Sequence, residues 1–283
     1  TQFISPLTFQ SVTGQGAYTD ANLWGAQSHV LHVGLGHTAD LLVIAPATAN
    51  TIARLAQGLA DNLLVLTALA FGPGTAARPL VIAPAMDGGM YTHPATQENI
   101  AILRQRGAVI IGPEAGHLAS GLKAHGRMSE PATLFGQIRL LLTRTGALQG
   151  KRVVVTAGGT QEQIDPVRVI TNRSSGKQGY ALAQACLDQG AEVILIAAPN
   201  ALPAPTGAQH VPVTSAKEME TTVLQHCQTA DALLMAAAVA DFTPANPSAH
   251  KIKKRAGLPV IELIHTPDIL AAVAKARAHS GWP

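Results

Sequence analysis

Cysteine is scarce in this chain: Cys186 and Cys227 are the only two in 283 residues. Two thiols cannot build a disulfide framework, and such usage points to a reducing compartment, so the cytoplasm is the expected location. Charge is scarce as well, at 13% of residues with a net charge of +3. The basic residues are scattered rather than striped, so no nucleic acid partner is expected, while anionic small molecules stay open. Long apolar runs are lacking too. Leu41–Ile44 and Leu233–Val239 fall far short of the roughly 20 residues of a membrane span, so no membrane partner is expected. The opening TQFISPLTFQ has neither the basic head nor the apolar stretch of a signal peptide. Against these absences, 47% of residues are hydrophobic, enough for a sizeable core and too many for disorder.

Short apolar runs mark candidate strands at Asp40–Ala45, Leu80–Ala83, Ala108–Gly112, Arg152–Thr156, Glu192–Ala197 and Ala232–Ala237. Continuous apolar strands suit a parallel sheet covered on both faces. Helical patterns lie between them, over Ala49–Leu69, Pro94–Arg106, Pro131–Thr143, Gly179–Gln189 and Ala216–Gln228. The alternation predicts the α/β class. In TRTGALQGKRVVV a helix pattern stops, two glycines punctuate and a fresh strand starts. This places a domain boundary at about residue 148, dividing the chain into 1–147 and 148–283.

Ligands of open α/β sheets gather beyond the C-terminal ends of strands. After the first run comes PATANT, where Pro46 stops the strand and Thr48, Asn50 and Thr51 supply short polar groups. That is either an ordinary helix cap or a helix start holding a phosphate. After the second run comes PAMDGGMYTHP, in which Met86, Asp87 and Met90 either line a pocket with one charge or form a turn with core methionines. EAGHLASGLKAHGRMSEP carries Ser120, Lys123 and Arg127 in a flexible basic loop, either solvated or able to fold over an anion.

Taken in order, PATANT, APAMDGGMY and ASGLKAHGRMSEP resemble the flavin-dependent cysteine decarboxylases, and among them phosphopantothenoylcysteine decarboxylase, over essentially all of residues 1–145. The resemblance implies a flavodoxin-like αβα domain with a parallel sheet and bound FMN. It implies that Pro46, Thr48, Asn50 and Thr51 lie against the flavin, that Met86, Asp87 and Met90 meet the substrate, and that Lys123 and Arg127 belong to a substrate clamp. His32, ahead of Ala39–Asp40 and flanked by His29 and His37, takes the place of the family's catalytic histidine. The implied chemistry oxidises the cysteinyl side so that the adjacent carboxylate leaves as carbon dioxide. Two positions depart from the pattern. Asp87 stands where the family has an asparagine that grips the substrate carboxylate. An ionised Asp repels that group, so Asp87 is expected to need a proton, a bridging cation or a neighbouring base. Ser120 stands where the family has a proton-donating cysteine, and a serine is a much poorer acid.

In the second half, TAGGTQEQ follows a strand but is not G-x-G-x-x-G, and no helix pattern opens directly after its glycines. The dinucleotide fingerprint therefore fails its context. Ser174, Ser175 and Gly176 precede a helix start near Lys177, with Arg168 upstream. This is a well-capped helix or an anion site. LLMAAAVADF ends a strand at Met235, Ala236 and Ala237, then presents Asp241, a carboxylate suited to a ribose or to Mg²⁺. Beyond it, KIKK carries Lys251, Lys253 and Lys254, either a solvated basic turn or a partner for a triphosphate.

TAGGTQEQIDPVRVITNRSSGKQG, AAAVADF and KIKK, in sequence, look like phosphopantothenate–cysteine ligase over about residues 148–275, the partner activity of one bifunctional coenzyme A biosynthesis enzyme. The resemblance implies a second, Rossmann-like αβα domain with a parallel sheet. Asn172 would hold an acyl-cytidylate for attack by cysteine. Met235, Ala236, Ala237 and Asp241 would contact CTP, with Asp241 also on Mg²⁺, and Lys251 would stabilise phosphate charge. Arg168, Ser174, Ser175, Gly176 and Lys177 would hold substrate. The expected partners are 4′-phosphopantothenate, cysteine and CTP, in a homo-oligomer. The family pattern has an FMN-phosphate loop ahead of this start and a GFAAET segment beyond this end, so the chain reads as an internal fragment. Two other classes stay open: a flavin- and nucleotide-binding regulatory protein with an inactive decarboxylase half, and an NAD-dependent oxidoreductase, which the failed glycine pattern disfavours. CTP turnover separates the three.

Overall fold

The structure is a computed structural model that describes residues 4–24, 30–143, 146–253 and 260–280. His29 and Lys254 lie outside the described residues. The chain divides into two compact units, Thr1–Leu142 and Thr143–Pro283. No helix among the described residues is long and apolar enough to cross a membrane.

The first unit runs α1 (Pro6–Thr13), α2 (Leu31–Thr38), β1 (Leu42–Ala47), α3 (Ala49–Gln57), α4 (Leu63–Phe71), β2 (Leu80–Pro84), α5 (Gly88–Thr92), α6 (Pro94–Gln105), β3 (Val109–Ile110), β4 (Glu114–His117), β5 (Lys123–Arg127) and α7 (Pro131–Leu142). Strands β1, β2 and β3 form a parallel sheet in that order, with Leu42 opposite Leu80 and Ile44 opposite Ile82. Side chains alternate across it. Ile44, Leu80 and Ile82 pack with Ile52, Leu55, Val65, Phe71, Ile100 and Leu103 from α3, α4 and α6. Val81 and Ala83 pack on the other face with Leu134 and Leu141 of α7. Burying a side chain of this size is worth about 1.5–3 kcal/mol, so both faces of these short strands need their helices.

The helix expected over Ala49–Leu69 is two helices. Gly58 takes a left-handed φ of 72° and caps α3, and Asn62 opens α4 by accepting from the Val65 N–H at 2.9 Å. Leu59 and Ala60 carry the apolar pattern across this break, so periodicity alone runs through it. Arg78 ties α2 in place. Its guanidinium donates to the carbonyls of Gly36 at 2.6 Å and Ala39 at 3.1 Å, and lies 4.5 Å over the Phe71 ring.

The second unit runs β6 (Arg152–Ala157), β7 (Gln161–Asp165), β8 (Arg168–Thr171), α8 (Lys177–Asp188), β9 (Glu192–Ala197), β10 (Gln209–Pro212), α9 (Ala216–Cys227), β11 (Ala232–Met235), β12 (Phe242–Pro244), β13 (Leu263–His265) and α10 (Ile269–Ser280). A parallel sheet has the order β10-β9-β6-β11. Val154, Ile194 and Ile196 pack with Met219, Val223 and Cys227 of α9 and Ile269 of α10. The alternate residues face α8, which lies against β6 and β9. Both units are thus α/β with a parallel sheet covered by helices.

Two stretches expected to be loops are antiparallel hairpins: β4 with β5, and β7 with β8. Their strands are polar and short, with none of the apolar runs that marked the central sheets. The strand expected through Ala237 stops at Met235.

Candidate functional site

In the first unit a cavity of about 330 Å³ forms where β2 ends, lined among others by Met86, Asp87, His117, Ser120, Arg127 and Met128. Pro84 ends the strand, and the Met86 N–H donates to the Gly126 carbonyl at 2.9 Å, which joins this segment to β5. A Cβ at Gly88 would lie 2.7 Å from the Ala124 Cβ, so the hairpin approaches α5 as closely as glycine permits. The loop Leu118–Leu122 at the hairpin tip carries Ser120 over Asp87, and the Ser120 hydroxyl donates to Asp87 Oδ2 at 2.7 Å. Asp87 Oδ1 accepts the Gly89 N–H at 2.9 Å. The Ser120 hydroxyl and then the Gly89 N–H hold the Asp87 carboxyl below its usual range. Asp87 is thus a carboxylate whose hydrogen-bond partner is the serine itself.

Arg127 lines the same cavity and is ion-paired with Glu130. Lys123 starts β5 with its side chain exposed, and Met90 is 51% exposed on α5. Neither lines the cavity. Thr48 caps α3, accepting from the Thr51 N–H at 3.2 Å, and the two hydroxyls lie 3.1 Å apart. Asn50 Oδ1 accepts from Arg54 Nε at 3.3 Å. Pro46 lies within β1, next to this cap. Two hydroxyls and an amide beside a parallel strand's C-terminal end are a donor set that suits the polar edge of a flavin. His32 lies on α2, outside the residues lining the cavity, and its Nδ1 is buried without a hydrogen-bond partner. A buried imidazole nitrogen in that state is a group that a ligand or substrate atom could satisfy.

In the second unit a cavity of about 320 Å³ is lined among others by Met235, Ala240, Asp241, His265, Thr266 and Asp268. The segment after β11 is laid on the segment after β6. Thr156 Oγ1 accepts the N–H groups of Ala236 and Ala237, both at 3.2 Å, and Thr160 Oγ1 accepts that of Ala240 at 2.9 Å. Asn172 Nδ2 donates to the Val239 carbonyl at 3.0 Å, which draws the end of β8 to the same place. Small residues at 236–238 leave backbone, not side chain, at this surface. Asp268 caps α10 by accepting the Ala271 N–H at 2.9 Å. Among the described residues no group of three or more His, Cys, Asp or Glu side chains forms a metal site, so Asp241 is not part of a metal cluster.

Gly176 caps α8 with φ of 72°, and the Gly176 and Lys177 N–H groups meet the hydroxyls of Ser174 and Ser175 at 3.3 and 3.4 Å. The Arg168 guanidinium is held by Asp165 and by the Ile252 carbonyl. Both cysteines are buried, and burial pushes the Cys227 thiol up to about 11, which keeps it inert.

Thr156, Thr160, Asp165, His117, His265 and Asp268 were not singled out in sequence. The signal for the two threonines is their place at the end of β6, where ligands of a parallel sheet collect. Asp165 carries no such mark, because its burial arises only once the hairpin forms.

Comparison with known proteins places both halves. The Flavoprotein family model matches residues 1–143, and the model of the DNA/pantothenate metabolism flavoprotein C-terminal domain matches residues 148–281. The coenzyme A biosynthesis bifunctional protein CoaBC of Mycobacterium tuberculosis is 47% identical over 288 residues, covering 100% of this chain and 67% of that protein. Its counterpart from Bacillus subtilis is 44% identical over 279 residues, covering 98% of this chain and 68% of that protein. Among solved structures, the C-terminal domain of a CoaBC protein overlies 46% of this chain and 61% of its own, at 47% identity and a TM-score of 0.41. The FMN binding protein AtHal3 overlies 44% of this chain and 68% of its own, at 37% identity and a TM-score of 0.39.

Proposed function

This chain belongs to the family of coenzyme A biosynthesis bifunctional proteins CoaBC, and from that premise we propose that it carries one activity of that biosynthesis in each half. The second half joins cysteine to 4′-phosphopantothenate with CTP, as a phosphopantothenate–cysteine ligase. The first half decarboxylates the product to 4′-phosphopantetheine with FMN, as a phosphopantothenoylcysteine decarboxylase. The observation that carries the reading is the cavity after β2, where Met86 and Asp87 meet Ser120 and Arg127 from a segment that begins 33 residues after Asp87. Those are the positions that the decarboxylase pattern assigns to substrate and clamp.

In the first half, Thr48, Asn50 and Thr51 would hold the flavin, and His32 would offer its unpartnered Nδ1. FMN supplies the electron sink that lets the substrate carboxylate leave. The residues of the chain orient the substrate. Arg127 would offer the cation for an anionic group, and the hairpin tip forms one wall of the cavity. Asp87 and Ser120 act as one polar unit in place of the family's Asn and Cys.

In the second half, the backbone of residues 235–240 would receive the nucleotide, with Asp241 at its ribose or its bound cation. Mg²⁺ would be held by the nucleotide phosphates together with Asp241. Lys251 would neutralise charge on the leaving pyrophosphate, and Asn172 would hold the activated acyl group for the cysteine amine.

The test is incubation of the purified full-length protein with 4′-phosphopantothenate, cysteine, CTP and Mg²⁺, with products followed by mass spectrometry. 4′-Phosphopantetheine is expected. Arrest at phosphopantothenoylcysteine removes the decarboxylase assignment and leaves the ligase, and an absence of CTP consumption removes the ligase assignment.

A further inference from the structure

Asp165, the last residue of β7, is fully buried at 0% exposure. A carboxylate is buried only where its lone pairs are used, because an unpaired one costs several kcal/mol or shifts to its neutral form. Asp165 uses them fully. Oδ1 accepts the N–H groups of Val167 and Arg168, both at 3.0 Å. Oδ2 accepts from Arg168 Nε at 2.9 Å, from Arg168 Nη2, and from the Ile252 N–H at 3.1 Å. Arg168 Nη2 also donates to the Ile252 carbonyl at 2.9 Å. The Arg168 side chain, then the backbone donors, hold the Asp165 carboxyl well below the usual carboxylate range.

The bonds to residues 167 and 168 explain the hairpin turn. They do not explain why the pair reaches a segment 87 residues away. There it grips one residue by both its N–H and its carbonyl, and Ser248 adds a second anchor by donating its N–H to the Ile164 carbonyl at 2.9 Å. Residues 251–253 have no helix or sheet bonds of their own to fix them. Lys251 is adjacent to the gripped residue.

We propose that Asp165 and Arg168 are positioning residues for Lys251: the ion pair clamps Ile252 so that the lysine is presented to the nucleotide phosphates. This rests on the ligase reading above. Arg168 is then not a substrate ligand. Its charge is balanced by Asp165, so a second cation can be set beside it without repulsion. Displacing a catalytic cation by about 1 Å costs on the order of 100-fold in rate, which is the scale on which such a clamp acts.

The test uses the full-length protein and its Asp165→Asn, Arg168→Lys, Lys251→Gln and Asp165→Asn/Lys251→Gln variants. Arg168→Lys keeps the charge but cannot reach Asp165 and the Ile252 carbonyl together in a planar fork, and it serves if Asp165→Asn fails to fold. CTP-dependent pyrophosphate release and amide hydrogen exchange across 248–253 are measured. The expected result is faster exchange at Ile252, a loss of about 10- to 100-fold in kcat with KM for CTP changed less, and no further loss when Asp165→Asn is added to Lys251→Gln. Losses that multiply, or unchanged exchange at Ile252, overturn the inference while the ligase reading stands. A wild-type protein that releases no pyrophosphate overturns the ligase reading, and the inference with it.

Discussion

The Ser120 hydroxyl donates to Asp87 Oδ2 at 2.7 Å, so the two positions at which the chain departs from the decarboxylase pattern bind each other. A carboxylate here faces a hydroxyl, and changing either one alone breaks the match. Asp87→Asn leaves Ser120 without a charged acceptor. Ser120→Cys sets a thiol against a carboxylate, which holds the thiol protonated. Each single variant is expected to lose about tenfold or more in decarboxylation of phosphopantothenoylcysteine, and the double variant to regain most of it. Carbon dioxide release from the four proteins measures the coupling, and independent effects would mean that the pair is not a unit.

The same logic of charge bears on the stability of the fold in acid. Asp165 has its folded pKa depressed by Arg168 and backbone donors. A carboxylate depressed in this way stabilises the fold above its ordinary value of 3.8, and the contribution is lost as pH falls through the folded value. Urea midpoints are expected to be level from pH 5 to 8 with respect to this group and to fall below about pH 4. In Asp165→Asn the acid slope should be shallower. A variant with the wild-type slope would show that other carboxylates set the limit.

Much of this fold was legible before any coordinates. Arg152–Thr156 and Glu192–Ala197 read as buried parallel strands because both faces of each are covered, so Val153–Val155 and Val193–Ala197 are apolar without a break. Thr48 and Asn50 were legible for the opposite reason, as polar residues directly after such a run. What stayed hidden has one cause. Asp87 with Ser120, Asp165 with Ile252 and Asn172 with Val239 are pairings of 33, 87 and 67 residues' separation, made by hairpins of polar strands. No local periodicity announces them. Arg168 shows the same limit: a basic residue near a helix start suggests an anion, and only the burial of Asp165 shows the partner its guanidinium has within the fold.

Thr156 is fully buried, and its Oγ1 accepts from both Ala236 and Ala237. Thr156→Val keeps the shape and removes the acceptor, leaving two backbone N–H groups unsatisfied. The expected loss is about 1–3 kcal/mol of stability in a denaturant melt. Because those amides belong to the segment assigned to CTP, CTP affinity should fall as well, and calorimetric titration checks it. A melt unchanged from the wild type would show that water replaces the hydroxyl.

Gly179 sits in the first turn of α8, where the helix crosses β6. A Cβ there would lie 2.5 Å from the Ala157 Cβ and 2.7 Å from the Thr156 carbonyl oxygen. Intrinsic propensity alone favours Ala over Gly in a helix by up to about 1 kcal/mol. Overpacking works against it, at about 1–3 kcal/mol, and neither neighbour is a flexible side-chain end that could move aside. The steric term therefore wins, and Gly179→Ala is expected to lower the unfolding midpoint. Gly34 supplies the contrast: it lies within α2, and nothing stands within 4 Å of a Cβ built on it. Gly34→Ala should leave the midpoint unchanged or raise it, since only the propensity term acts. Thermal melts of the two variants side by side decide the matter. Equal effects would mean that α8 can lift from β6 without cost, and Thr156 beneath it would then have no rigid support for the amides of Ala236 and Ala237.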